Sequence, residues 1–367
     1  MRKGIVLTLA LAVLAFIAGA WPACAAPPAD VTGEECFFLK SLHFTANGMG
    51  YWYSKANGGL ETITGIPYSK LGCKNCHVAG CDRCHRTARG KRLSYTIKAA
   101  QRQDMCLKCH AREKAMIRVN FAEKKQDVHV AKGMVCTDCH SQREMHGNGA
   151  EYHSLKQPGA MDTRCEKCHD SILPTDAHSV HEGKLDCKAC HIRHVISCTN
   201  CHFDYLVKTG KRKARPVHDW VFLINYRGKV SSASMQTFVV RPNKTFLMFA
   251  PHMSHAVTKQ GRKCDACHGT ETAKKVIKDK KLKLTWLENG KLKNLKGVIP
   301  VVKGVEYDCA YMDLKDGKWV PLKNPANPKV QFAAYGTPLT KDQLETLGER
   351  QEVPPVEMMG TEPRKAK

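Results

Sequence analysis

One pentapeptide, Cys-x-x-Cys-His, recurs eight times between Cys73 and His268, and no other feature limits the fold so strongly. The copies are Cys73-Lys74-Asn75-Cys76-His77, Cys81-Asp82-Arg83-Cys84-His85, Cys106-Leu107-Lys108-Cys109-His110, Cys136-Thr137-Asp138-Cys139-His140, Cys165-Glu166-Lys167-Cys168-His169, Cys187-Lys188-Ala189-Cys190-His191, Cys198-Thr199-Asn200-Cys201-His202 and Cys264-Asp265-Ala266-Cys267-His268. Seven of them crowd into the segment from Cys73 to His202. Such a segment has too few apolar side chains for an ordinary core. Whatever fills its interior must be held by the motifs themselves.

Two cysteines three apart lie on one face of a helical turn. There both thiols can form thioethers with the two vinyl groups of one haem. The histidine that follows then sits beneath the iron as an axial ligand, which is the c-type attachment chemistry. Zinc sites and disulfides need no histidine after every pair. Eight intact copies therefore lead us to expect eight covalent haem c groups. The proximal iron ligands would be His77, His85, His110, His140, His169, His191, His202 and His268. His77 and Cys81 are separated by three residues, and His191 and Cys198 by six, so neighbouring haems are expected in contact.

With these motifs the chain resembles multihaem c-type cytochromes of the kind used by metal- and sulfur-respiring bacteria. The resemblance covers residues 73 to 268 and concerns haem number and attachment, not a named subfamily. The Cys-x-x-Cys-Lys variant, which marks the catalytic haem of one nitrite reductase family, is absent.

A haem with two protein ligands is closed and mainly carries electrons; one with a single ligand is open to chemistry. Beyond the motifs, the sequence holds ten more histidines. We take His43, His129, His146, His178, His181, His218, His252 and His255 as distal candidates, with His153 and His194 as the two spares. One pattern repeats: His178 and His181 precede Cys187, and His252 and His255 precede Cys264.

Arg2 and Lys3, the apolar run from Ile5 to Ala20, and Ala23-Cys24-Ala25 read as a secretory signal peptide over residues 1–25. An uncleaved anchor is the alternative, and Cys24 could mark a lipoprotein, although Trp21 stands where such signals normally carry Leu. No other stretch is apolar enough to span a bilayer. The expected location is the periplasm or the outer cell surface. The formal charge is +24. Loss of Arg2 and Lys3, then sixteen haem propionates, lowers it to about +6 with ferrous iron and about +14 when each bis-histidine iron is ferric. Much of the basic excess is therefore internal, and with export it excludes a nucleic-acid partner.

The expected fold is mostly irregular, with short α-helices wrapped around stacked haems. Residues 26–215 form a heptahaem region with its N-terminal segment, in which the flank of Gly48 reads as a loop and Tyr51-Trp52-Tyr53 as aromatic cover. Lys91 to Met105 and Ala111 to Lys125 have helical composition. Residues 216–270 read as a small β-meander plus the eighth haem, its runs Trp220–Ile224, Thr237–Val240 and Thr245–Phe249 broken by Arg227-Gly228 and Pro242-Asn243. Residues 271–350 read as a β-rich C-terminal region, with hairpin turns at Asn289-Gly290 and Asp316-Gly317 and a capping box at Thr340 to Gln343. Nine lysines between Lys274 and Lys296 read as a solvated face, or as a docking surface for an acidic partner. Residues 351–367 are a charged, Pro-rich tail. Cys36 and Cys309, outside the motifs, are a disulfide candidate.

Three functions compete. The favoured one is an electron relay through closed haems, with no catalytic site, between other redox proteins or extracellular acceptors. The second is a reductase of the octahaem type, acting on nitrite or tetrathionate. The third is a homo-oligomer or extracellular filament, in which His43 could ligate a haem of the next subunit.

Overall fold

The apolar runs between Trp220 and Phe249 build the centre of one large sheet in this computed structural model, which describes residues 37–71, 78–90, 92–172, 175–345, 347–349 and 351. The signal segment, Cys36, the motif at Cys73–His77 and residues 352–367 lie outside the described residues. The sheet contains β1 (Val195–Thr199), β2 (Cys201–His202), β3 (Arg215–Tyr226), β4 (Lys229–Val240), β5 (Lys244–Pro251), β6 (Gly297–Pro300), β7 (Lys329–Phe332) and β8 (Gly336–Thr337). Strands β3, β4 and β5 form an antiparallel meander. The β3–β4 loop is Arg227-Gly228, both residues at positive φ, the backbone that a two-residue hairpin requires. Trp220 through Ile224 are all buried, so both faces of β3 are covered.

The meander does not stand apart from the C-terminal region. Strand β6 pairs parallel with β3, and β7 parallel with β5. The expected boundary near residue 270 is thus crossed by the sheet itself. Phe249 shows why: its ring meets Phe222 at 5.4 Å, Tyr307 at 5.0 Å and Phe332 at 6.0 Å between centres. Each such buried side chain contributes roughly 1.5–3 kcal/mol of transfer free energy. The two hairpin signals fold as Thr285–Glu288 with Lys291–Asn294, and as Met312–Lys315 with Lys318–Pro321. Thr340 and Gln343 form the capping box that opens Lys341–Leu344.

The described chain is a mixed α/β structure, with more strand than the sequence suggests. Ala111–Ala122 is helical, whereas Lys91 to Met105 is divided into a strand, Arg92–Tyr95, and the short helices Ile97–Ala100 and Gln103–Cys106. The Gly48 flank is not a loop: Asn47–Tyr53 is a helix. Its glycine at 50 serves packing, since a Cβ there would stand 3.1 Å from the Tyr68 ring.

The two halves of the chain differ in their interiors. From residue 192 onward a continuous apolar core surrounds the sheet. Among the described residues between 81 and 191, the buried apolar ones are only Ala99, Met116, Ala160 and Ala189. Leu93, Tyr95, Ile97, Phe121, Val135, Leu155, Ile172 and Val180 in that region are exposed. A polypeptide of this length without a core cannot offset its conformational entropy.

Candidate haem-binding sites

Closed turns set the motif geometry. The histidine N–H donates to the carbonyl of the first cysteine in five motifs: His85 to Cys81 (2.9 Å), His110 to Cys106 (3.1 Å), His140 to Cys136 (2.9 Å), His169 to Cys165 (3.0 Å) and His268 to Cys264 (2.8 Å). Cys187–His191 is itself helical. Such a turn brings both thiols and the imidazole to one side of the backbone.

Opposite each of these six histidines stands another. The ring centres are 6.0 Å apart for His85 and His146, 6.3 Å for His110 and His43, 6.4 Å for His140 and His255, 6.2 Å for His169 and His129, 6.3 Å for His191 and His178, and 6.2 Å for His268 and His181. Two imidazoles that ligate one metal ion from opposite sides, each at about 2 Å, have ring centres roughly 6 Å apart. The residues therefore fit an iron between each pair, and the missing protein core fits the haem planes.

Second ring nitrogens are occupied in the manner of metal ligands. His140 Nδ1 donates to Glu144 at 2.7 Å, and His255 Nδ1 to Glu113 at 3.1 Å. His191 Nδ1 donates to the Thr258 carbonyl at 3.0 Å. His178 Nδ1 meets the Thr175 hydroxyl at 3.0 Å, and His129 Nδ1 lies 3.3 Å from Asp127. These contacts leave each Nε2 for the metal. Burial, and next a facing imidazole, lowers the pKa of His43 and of His181, which favours the neutral ligating form.

The motifs also form a row. Cys84 is close enough to Cys106 for their charges to interact, and the same holds for Cys106 and Cys136, Cys139 and Cys168, Cys165 and Cys187, and Cys190 and Cys264. Six motifs are thus linked in chain order, and the Cys187 motif meets the Cys264 motif directly.

Several expectations need correction. His43 faces His110 of its own chain. His218 and His252 face no motif histidine among the described residues. His218 donates to Asp219 at 2.7 Å and lies edge-on to His194. The His252 Nε2 is shielded without a hydrogen-bond partner, and burial and Arg112 lower its pKa to about 3. His194 bonds to Asn120 and Asp219, and His153 stacks on Tyr51 at 5.4 Å. The paired spacing before Cys187 and Cys264 thus does not carry equal roles: His178 and His181 face two different motifs, while His255 turns back to His140. The motif at Cys198–His202 is not a closed turn; its histidine N–H bonds to the Lys213 carbonyl. Cys309 is buried in the main core, and its proposed partner Cys36 is outside the described residues.

A cationic cluster, not legible in the sequence, lies beside these sites. Lys156 and Arg227 both stand against the Tyr226 ring, 5.7 and 5.1 Å from its centre. Burial first, and then the charges of Lys188 and Arg227, lowers the Lys156 pKa to about 8. Arg112 and Lys156 both act on His252. Nearby, Ala334 and Tyr335 hold positive φ, and the Tyr335 ring meets Trp52 edge-on at 5.1 Å. Non-glycine residues held in that conformation gather at functional sites.

No protein-family model and no solved structure matches the chain. Over 189 residues it is 24% identical to the dissimilatory sulfite reductase MccA of Wolinella succinogenes; the match covers 41% of this chain and about a quarter, 26%, of that relative's length. The motif turns and the facing imidazoles fit covalently held haem, and the similarity adds that one relative is a sulfite reductase. The same finding overturns the expectation of a carrier without a catalytic site, because the relative is an enzyme. The surplus of histidines argued for closed irons by number alone, and His153, His194, His218 and His252 stand away from every described motif imidazole. Among the described residues, no helix is long and apolar enough to cross a membrane.

Proposed function

We propose that this protein is an exported multihaem c-type cytochrome that reduces a small sulfur oxyanion of the sulfite type, with electrons received from a redox partner. Six His–His gaps of 6.0–6.4 Å on closed Cys-x-x-Cys-His turns carry the cytochrome part of this reading, and the similarity to a sulfite reductase carries the reaction. Haem, when bound there, supplies one-electron transfer at an iron closed by two imidazoles. The row of neighbouring thiols from Cys84 to Cys264 supports passage along the motifs.

The similarity to a sulfite reductase gives the reaction its direction, and the cations give it a substrate charge. Lys156, Arg227 and Arg112 can attract an anion. Lys156 can also release a proton near neutral pH, since its pKa is about 8. Reduction of an oxyanion consumes protons together with electrons, so a half-buried lysine of this kind suits the site.

The test is sulfide formation by the haem-loaded protein, with sulfite and a reduced viologen dye as donor. Turnover of order 1 per second or faster is expected. Formation no faster than that of a free haem peptide would sink the reductase reading.

A further inference from the structure

The seventh motif is folded unlike the other described ones. Cys198 lies in β1 and pairs with Pro216 of β3, while Cys201 lies in β2 and pairs with Phe238 of β4. The two thiols thus belong to different strand pairings, not to one turn. Between them, Thr199 and Asn200 are 1% and 0% exposed, and both are fully engaged. The Thr199 hydroxyl donates to the Arg215 carbonyl at 2.6 Å. The Asn200 amide donates to the Ala310 carbonyl at 3.1 Å, and its oxygen accepts from Met312 N–H at 2.8 Å. Asn200 N–H donates to the Thr237 hydroxyl at 2.8 Å. In the other described motifs these two positions face solvent or lie at a turn surface, apart from Ala189.

His202 completes the contrast. A haem ligand needs a bare Nε2 directed at the iron. Here Nε2 donates to the Asp313 carboxylate at 2.7 Å, with both side chains buried. Asp313 also accepts from Arg241 Nε at 3.1 Å and from Leu314 N–H at 2.8 Å. The remaining nitrogen, Nδ1, accepts from Tyr205 N–H and caps the helix Phe203–Thr209. Both ring nitrogens are spent on protein, and among the described residues no second imidazole faces this ring. The row of thiols runs from Cys190 to Cys264 without it.

We infer that Cys198-Thr199-Asn200-Cys201-His202 carries no haem and is instead a structural clasp, tying the helix Phe203–Thr209 to the strand Met312–Lys315 through His202 and Asp313. The inference rests on the reading of the other motifs as haem sites. It makes one attachment signature of this sequence a part of the sheet.

Peptide mapping by mass spectrometry of the intact, haem-loaded protein tests it. The peptide with Cys198 and Cys201 should lack a haem, while those with Cys81, Cys106, Cys136, Cys165, Cys187 and Cys264 carry one each. A haem on the Cys198 peptide overturns the inference and leaves the cytochrome reading standing. Bare cysteines in every motif peptide would overturn that reading and the inference with it. As a second measurement, the Cys198→Ser, Cys201→Ser double variant should keep the haem-to-protein ratio of the wild type. Loss of one haem per chain would again refute the clasp. Wild-type peptide mapping decides the matter even if the variant fails to fold.

Discussion

The imidazoles of His140 and His255 face each other with ring centres 6.4 Å apart, and each is steered from behind by a carboxylate, Glu144 for His140 and Glu113 for His255. The two residues come from distant parts of the chain. His140 ends a motif turn; His255 follows the last strand of the meander. Their meeting ties the motif-dense half to the sheet.

Replacing one partner should open the iron between them. His255→Ala is expected to create a high-spin signal in low-temperature electron paramagnetic resonance of the oxidised protein. Haem content should stay constant, because the thioethers depend on Cys136 and Cys139. A spectrum identical to that of the wild type would show that His255 is not the ligand.

Acid should weaken the loop behind Glu144. Asp162 N–H and Thr163 N–H both donate to Glu144, and Asp162 itself forms an ion pair with Arg143. The Arg143 guanidinium, foremost, lowers the Asp162 pKa from 3.8 to about 2. A depressed carboxylate stabilises the fold above its unfolded value and loses that contribution as pH falls through the folded one. Asp162→Asn should therefore lower stability near pH 7 but have little effect near pH 2. Denaturant unfolding at the two pH values checks this, and an equal loss at both would refute it.

Lys156 sets a pH limit on the proposed reduction. With a pKa of about 8, it is charged at neutral pH and loses its proton above that. The kcat/KM for sulfite should fall as pH rises past about 8. Lys156→Met should lower kcat/KM at least tenfold at pH 7, or about 1.4 kcal/mol, while the haem spectrum is unchanged. A variant with a wild-type rate and pH profile would remove Lys156 from the site.

Phe249 holds the meander to the C-terminal strands. Phe249→Ala should cost about 3–5 kcal/mol, the range for a large buried aromatic. Denaturant unfolding monitored in the far ultraviolet would measure it. A loss under 1 kcal/mol would mean that the strands β6 and β7 are held elsewhere.

The motif turns are local in origin, and so they were legible in the sequence. A pair of cysteines three apart followed by histidine can close one turn within five residues, as at Cys136–His140. The turns at Arg227-Gly228 and Asn289-Gly290 were legible for the same reason, since a short turn pair between two apolar runs can close a hairpin locally. Tertiary structure decided everything that depends on distance in space. His178 and His181 lie in one short segment yet face His191 and His268, because the fold brings the Cys187 and Cys264 motifs side by side. His252 and His255 share the same spacing, but His255 turns to His140 and His252 does not face a described motif histidine. Cys198–His202 has the same letters as its neighbours and a different fold, because Asn200, Asp313 and the strands β3 and β4 engage it first. Sequence supplies ligands in number and kind; only the packed chain determines which imidazole stands 6 Å from which.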